Sequence, residues 1–235
     1  MTIATQAQDS RKDAKRSSRR ALKNNHNGPC ISLYTDELLP AANPKAGLKR
    51  AKEMLRDVKT SFDGTSMTVE EAETLLDSNW HQGFESERLD AKGTAIFVSR
   101  SFFGKCQVPA AVAEKAVVGK EFLVRPLLPS ISRHSPPLET YKELVNTPLT
   151  SSNLRKIIAA AERGIVRFLF LPPTGEQWGS FESPETVHIR EKAEPGDEEL
   201  LNLAAIFALR HGGQVWVVPN NELRAGSEIA AVFRF

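Results

Sequence analysis

Apolar and polar positions repeat with two different periods along the chain, and the changes of period predict its elements. Cys30–Tyr34 is a short apolar run of strand character. Asn43-Pro44 then supplies an N-cap and a proline at the first helical position. The helix it opens, to about Thr60, carries Leu48, Ala51, Leu55 and Val58 on one buried face. Thr68-Val69-Glu70-Glu71 has the form of a capping box, followed by a second helix with Ala72, Leu75, Leu76 and Trp80 directed inward. From Gly93 the character changes to β. Gly93–Arg100, a short run near Cys106–Val108, and Ala116–Val124 are expected as strands, broken by Gly104 and Gly119-Lys120.

Between Arg125 and Thr150 stand Pro126, Pro129, Pro136, Pro137 and Pro148, a density that disfavours a long helix or a central strand. Residues 131–150 are therefore expected to form a linker, with room for a short helix around Glu139–Val145. Beyond it, Ser152 or Asn153 caps a helix with Leu154, Ile157, Ile158 and Ala161 inward, ended by Gly164. Ile165–Leu171 is nearly continuous apolar, as a strand covered on both faces would be. A Gly/Ser/Pro stretch and a strand near Thr186–Ile189 follow. Asp197 is the expected cap of a helix that buries Leu200, Leu201, Ala204, Ala205 and Ala208 and stops at Gly212. Gln214–Val218 and Ile229–Phe235 close as strands. The pattern predicts two small α/β domains, residues 29–130 and 151–235, behind a tail formed by residues 1–28.

Composition adds that the 235 residues, 40% of them apolar, can build packed cores. No window approaches 18 consecutive apolar residues, and the first residues lack an apolar signal region, so a soluble cytoplasmic protein without a membrane partner is expected. Cys30 and Cys106 are expected to be buried thiols.

Charge changes the picture more. Residues 1–28 carry Arg11, Lys12, Lys15, Arg16, Arg19, Arg20 and Lys23 against Asp9 and Asp13, a net +5, whereas the whole chain is only +2. A basic arm on a mildly acidic body can bind a polyanion by releasing its counterions, with Arg16, Arg19 and Arg20 at its centre; a solubilising leader that binds nothing has the same composition. On the first helix Lys45, Lys49, Lys52, Arg56 and Lys59 recur at 4-3-4-3 spacing, a stripe suited to a phosphate backbone. The competing assignment is a solvated face partly neutralised by Glu53 and Asp57. Trp178 and Phe181, in the Gly-containing stretch, are candidate contacts for a protein partner, while Trp216, Phe233 and Phe235 fall in strands and are expected in the core.

Catalytic signatures are sparse. Phosphate-binding, dinucleotide-binding, nucleophile-elbow and zinc-protease motifs are absent, and His26, His81, His134, His188 and His211 show no metal-ligand spacing, so neither cofactor nor metal is expected. Gly212-Gly213-Gln214 spells the tripeptide with which translation release factors admit water to the peptidyl-tRNA ester. Here it directly follows an amphipathic helix and opens a β-branched strand, where a glycine is ordinary capping.

Taken in order, these residues resemble the archaeo-eukaryotic peptide-chain release factor and Pelota family, specifically its bacterial relatives. Ile229-Ala230-Ala231-Val232-Phe233-Arg234-Phe235 is similar to the terminal strand of the family's third domain, and Gly212-Gly213-x-Val215 to the junction before it. Pro29-Cys30-Ile31-Ser32-Leu33-Tyr34, Gly93-Thr94-Ala95-Ile96-Phe97 and the Val118-Gly119 to Leu128 segment resemble the bacterial relatives' N-terminal block. The resemblance implies an α/β/α sandwich for the C-terminal domain and loss of the middle domain, which in release factors holds the catalytic tripeptide. It also implies that Gly212-Gly213 is structural here and that no stop codon is read. The expected function is a non-enzymatic protein binding the ribosome or structured RNA, with no DNA sequence readout. A protein–protein adaptor without RNA affinity, and an ester hydrolase acting on peptidyl-tRNA through Gln214, are the alternatives.

Overall fold

The computed structural model describes residues 28–35, 44–57, 61–63, 65, 67–80, 93–108, 114–223, 227 and 229–235. The chain divides into two compact units after Leu127.

The first unit is a five-stranded sheet with two helices on one face. Its strands are β1 (Cys30–Thr35), β2 (Ser61–Asp63), β3 (Gly93–Ser99), β4 (Phe102–Val108) and β5 (Lys115–Gly119), in the spatial order β2-β5-β1-β3-β4. Only β2–β5 is parallel; the other pairs are antiparallel. Helices α1 (Pro44–Arg56) and α2 (Val69–Asn79) bury Ala51, Met54, Leu55, Ala72, Leu76 and the C-capping Trp80 against Ile31, Leu33, Ile96, Val98, Ala116 and Val118. The capping box at Thr68 forms in full: its side chain accepts from the Glu71 amide while the Glu71 carboxylate accepts from the Thr68 amide. The strand expected over Ala116–Val124 ends at Gly119. The residues after it turn across the sheet's second face, where Phe122 meets the Phe97 ring at 5.4 Å and Phe97 meets Tyr34 at 5.9 Å. Two bonds fasten this cover: the Tyr34 hydroxyl donates to the Leu123 carbonyl, and the Leu123 amide donates to Ser32 Oγ at 2.9 Å. Coverage on both faces explains why all of β3 is buried.

The second unit is a three-layer α/β/α sandwich. Strands β6 (Thr150–Ser151), β7 (Val166–Leu171), β11 (Gln214–Val217) and β12 (Ala230–Phe233) lie in the order β11-β7-β12-β6, with β7 and β11 parallel and β12 antiparallel to β7. Helices α4 (Leu154–Glu162) and α5 (Leu200–Arg210) pack on the sheet, burying Ile157, Ile158 and Ala161 from one and nearly the whole of the other. A small sheet ordered β10-β8-β9, built from β8 (Trp178–Ser183), β9 (Thr186–Arg190) and β10 (Glu198–Glu199), packs on α5 through Phe181 against Phe207 at 5.2 Å.

Three expectations are corrected. Residues 131–150 are not a linker. Their helix α3 (Pro136–Leu144) buries Leu138 and Tyr141 against Phe168, Phe170, Val218, Ala230 and Val232, so it is the third layer of the sandwich. The two prolines sit at its first turn, where no amide partner is lost. Asp197 does not cap α5. Glu199 does, accepting from the Leu201 and Asn202 amides at 3.2 and 2.8 Å, while Asp197 pairs with Arg190. The first helix stops at Arg56, short of Thr60.

Candidate nucleic-acid interface

The α1 stripe is divided by its neighbour. Amphipathic spacing packs α1 on α2, and this brings the carboxylates of α2 against the lower half of the stripe. Lys52 Nζ lies 2.7 Å from Asp77 Oδ1. Arg56 grips the Glu73 carboxylate with two parallel hydrogen bonds, through Nε and, at 2.7 Å, through Nη2. The bond with Glu73 raises the Arg56 guanidinium further and holds the Glu73 carboxyl below its ordinary value. Lys45 and Lys49 remain exposed, Lys49 with only a long 3.8 Å approach to Glu53. Of the predicted anion-binding residues the structure thus leaves Lys45 and Lys49 open and turns Lys52 and Arg56 toward protein carboxylates. Arg16, Arg19, Arg20 and Lys59 lie outside the described residues.

Trp178 and Phe181 are not loop residues. Both belong to strand β8, both are half-buried, and Phe181 spends its exposed edge on Phe207 of α5. The alternating pattern was masked in the sequence by Gly179 and Ser180, which make the strand look like a loop. Gly179 is required there: a β-carbon on it would lie 1.9 Å from the His188 carbonyl oxygen. Trp216 and Phe233 are half-buried in their strands, but Phe235, expected in the core, is 82% exposed.

The Gly212-Gly213-Gln214 triplet forms the junction from α5 to β11. Gly212 adopts φ +76°, the left-handed conformation that ends a helix. A β-carbon on Gly213 would lie 2.8 Å from the Ala208 carbonyl oxygen and 3.0 Å from that of Val166. Each glycine therefore has a structural task, and Gln214 opens a strand with its side chain exposed.

Sequence reasoning passed over Lys105, which sits on β4 opposite Ile96 and is only 4% exposed. Burial lowers its ammonium to about 8. A lone lysine between Gly104 and Cys106 in a short β run was the available signal. Cys30 is buried, its thiol 3.5 Å from the Lys120 carbonyl oxygen; the Cys106 side chain lies outside the described residues. Among the described residues no group of three or more His, Cys, Asp or Glu side chains is placed to hold a metal, and no helix is long and apolar enough to cross a membrane.

No protein-family model and no curated protein matches the chain. Among solved structures it is similar to the crystal structure of an archaeal translation termination factor, aRF1, at 12% identity over 96% of this chain and 98% of that one, with a TM-score of 0.31.

Proposed function

We propose that this protein binds ribosomes or structured RNA in the setting of translation and catalyses no reaction. The observation that carries the reading is the concentration of positive charge: residues 1–28 hold a net +5 in a chain of net +2. The exposed Lys45 and Lys49 extend it onto a folded surface. Such charge binds phosphate by counterion release, which is strong at low salt and carries no base sequence. The likeness of the strand sequences to release-factor and Pelota relatives supplies the translational setting. The structural tasks of Gly212 and Gly213 speak against a hydrolase working through Gln214, and the burial of Phe181 against Phe207 speaks against an adaptor that docks through it.

The test is sedimentation with ribosomes and with total RNA at about 50 and about 300 mM salt. Co-sedimentation at the lower salt, largely lost at the higher and reduced by deleting residues 1–24, is the expected result. Absence from the pellet at both salts overturns the reading.

A further inference from the structure

At the end of the second unit where α4 and α5 finish, Arg167, Phe168, Gly212, Gln214 and Arg234 line an open groove of about 380 Å³. Two arginines line it, and no Asp or Glu among the described residues does. Five other arginines are matched with acids: Arg50 with Glu114, Arg56 with Glu73, Arg133 with Glu222, Arg163 with Glu185, Arg190 with Asp197. Arg167 and Arg234 have no such partner among the described residues. Arg167 interrupts the otherwise buried strand β7, and its guanidinium lies over the Phe168 ring, 4.9 Å from the centroid. Arg234 is fixed at both ends: its amide donates to the Ile165 carbonyl at 2.9 Å, and its Nη2 to the His211 carbonyl at 2.9 Å. The register completes the frame, because Phe168 has Gln214 opposite it on β11 and Val232 on β12. The amide side chain of Gln214 can therefore reach the same space as the two guanidiniums, and the exposed ring of Phe235 follows Arg234 in the chain.

We propose that this groove is a second RNA contact, in which Arg167 and Arg234 hold a phosphodiester of a single strand, Gln214 hydrogen-bonds to its sugar–phosphate edge, and Phe235 stacks on an adjacent base. Fixed guanidiniums suit phosphate because their planar donors match its oxygens in pairs. An aromatic ring beside them is the platform on which an unpaired base stacks. The proposal rests on the RNA-binding reading above, but uses a different part of the molecule.

The experiment measures binding of a fluorescent 15-nucleotide oligouridine to four full-length proteins, wild type, Arg167→Gln, Arg167→Gln/Arg234→Gln and Gln214→Ala, and to a protein lacking residues 1–24 with and without the double substitution, across a salt series. Arg167→Gln alone, which leaves the Arg234 bond to His211 in place, guards against misfolding, and circular dichroism checks every variant. The double variant should lose about ten-fold in affinity at low salt and about 1.4 units of salt slope, the share of two phosphate contacts to a single strand. Arg167→Gln should show about half of that slope change, Gln214→Ala about a two-fold loss in affinity, and the tail-deleted protein should keep a weaker binding that adding the double substitution to it abolishes. If the wild type binds and the double variant binds equally well with the same slope, the groove proposal is overturned while the arm-based reading stands. If the wild type binds no RNA in any form, both fall. Displacement of the oligonucleotide by inorganic pyrophosphate at equal phosphate concentration would assign the groove to small phosphate compounds and overturn the RNA contact.

Discussion

A helix face of the first unit and a groove of the second treat positive charge in opposite ways. In the first, the cations of α1 meet the acids of α2, so that Lys52 and Arg56 serve the packing of one helix beside another. In the second, Arg167 and Arg234 line the end of a sheet beside Gly212 and Gln214, with no acid among the described lining residues. A helix stripe is read from spacing alone, yet its meaning depends on the element that docks beside it. The groove has no spacing signature at all, because its two arginines are 67 positions apart and meet only through the antiparallel register of β7 and β12.

The comparison breaks most sharply at Gly213. A β-carbon there would press on two backbone oxygens held in α5 and β7, so Gly213→Ala should cost about 3 kcal/mol of unfolding free energy, read from urea melts. Gly212→Ala, where the strain is a left-handed φ of +76° and the added carbon only touches Arg234 Nη2 at 3.9 Å, should cost about 1 kcal/mol. Equal and negligible costs would show that the triplet is not held by packing and would reopen a role at a reacting centre.

Lys105 is the buried charge of the first unit. Its folded ammonium titrates at about 8, against an ordinary 10.5. The folded state therefore binds fewer protons than the unfolded chain between those values, and stability rises with pH across that window. Below pH 8 the burden is present in full. Wild type should thus gain up to about 3 kcal/mol on Lys105→Met between pH 8 and 10.5, read from paired denaturation curves. Parallel curves would show that the ammonium is solvated in the folded protein.

The smallest effect sharpens the contrast. Glu73→Gln releases the Arg56 guanidinium from its partner, turning a packed cation into an open one like those of the second unit. Oligouridine affinity at about 50 mM salt should rise about two- to three-fold, with little change in melting temperature because the pair is solvent-screened. Acid should act in the same direction. The depressed Glu73 carboxyl contributes stability above its ordinary value, and that contribution disappears as pH falls through its folded value. No gain in affinity would mean that the stripe faces away from bound RNA.

Local rules carried much of the fold. Capping at Thr68 and Asn153, the apolar faces of α1 and α2, and the covered strand at Val166–Leu171 were legible because each depends on residues within a few positions. Failures came where distant partners decide. Five prolines concealed α3, whose place is fixed by Phe170 and Val232 rather than by its own composition. Phe181 looks like a loop residue in the sequence because its partner, Phe207, lies on a helix that follows later. Of the candidate site, the chemistry of Lys45, Lys49, Lys52 and Arg56 was visible. The carboxylates that claim half of them were not, since Glu73 and Asp77 face α1 only after two helices have docked.

Among the described residues β4 is the outermost strand of its sheet, and a sheet edge is a template on which another chain can extend. Its inward lysine, Lys105, sets the terms of such growth. A chain that stacked onto β4 would lie against a strand carrying a buried ammonium, an inward charge of the kind that discourages pairing at a sheet edge. The guard weakens as the solution becomes alkaline through pH 8. The same residue that burdens the folded unit is thereby expected to disfavour edge-to-edge growth most strongly below pH 8.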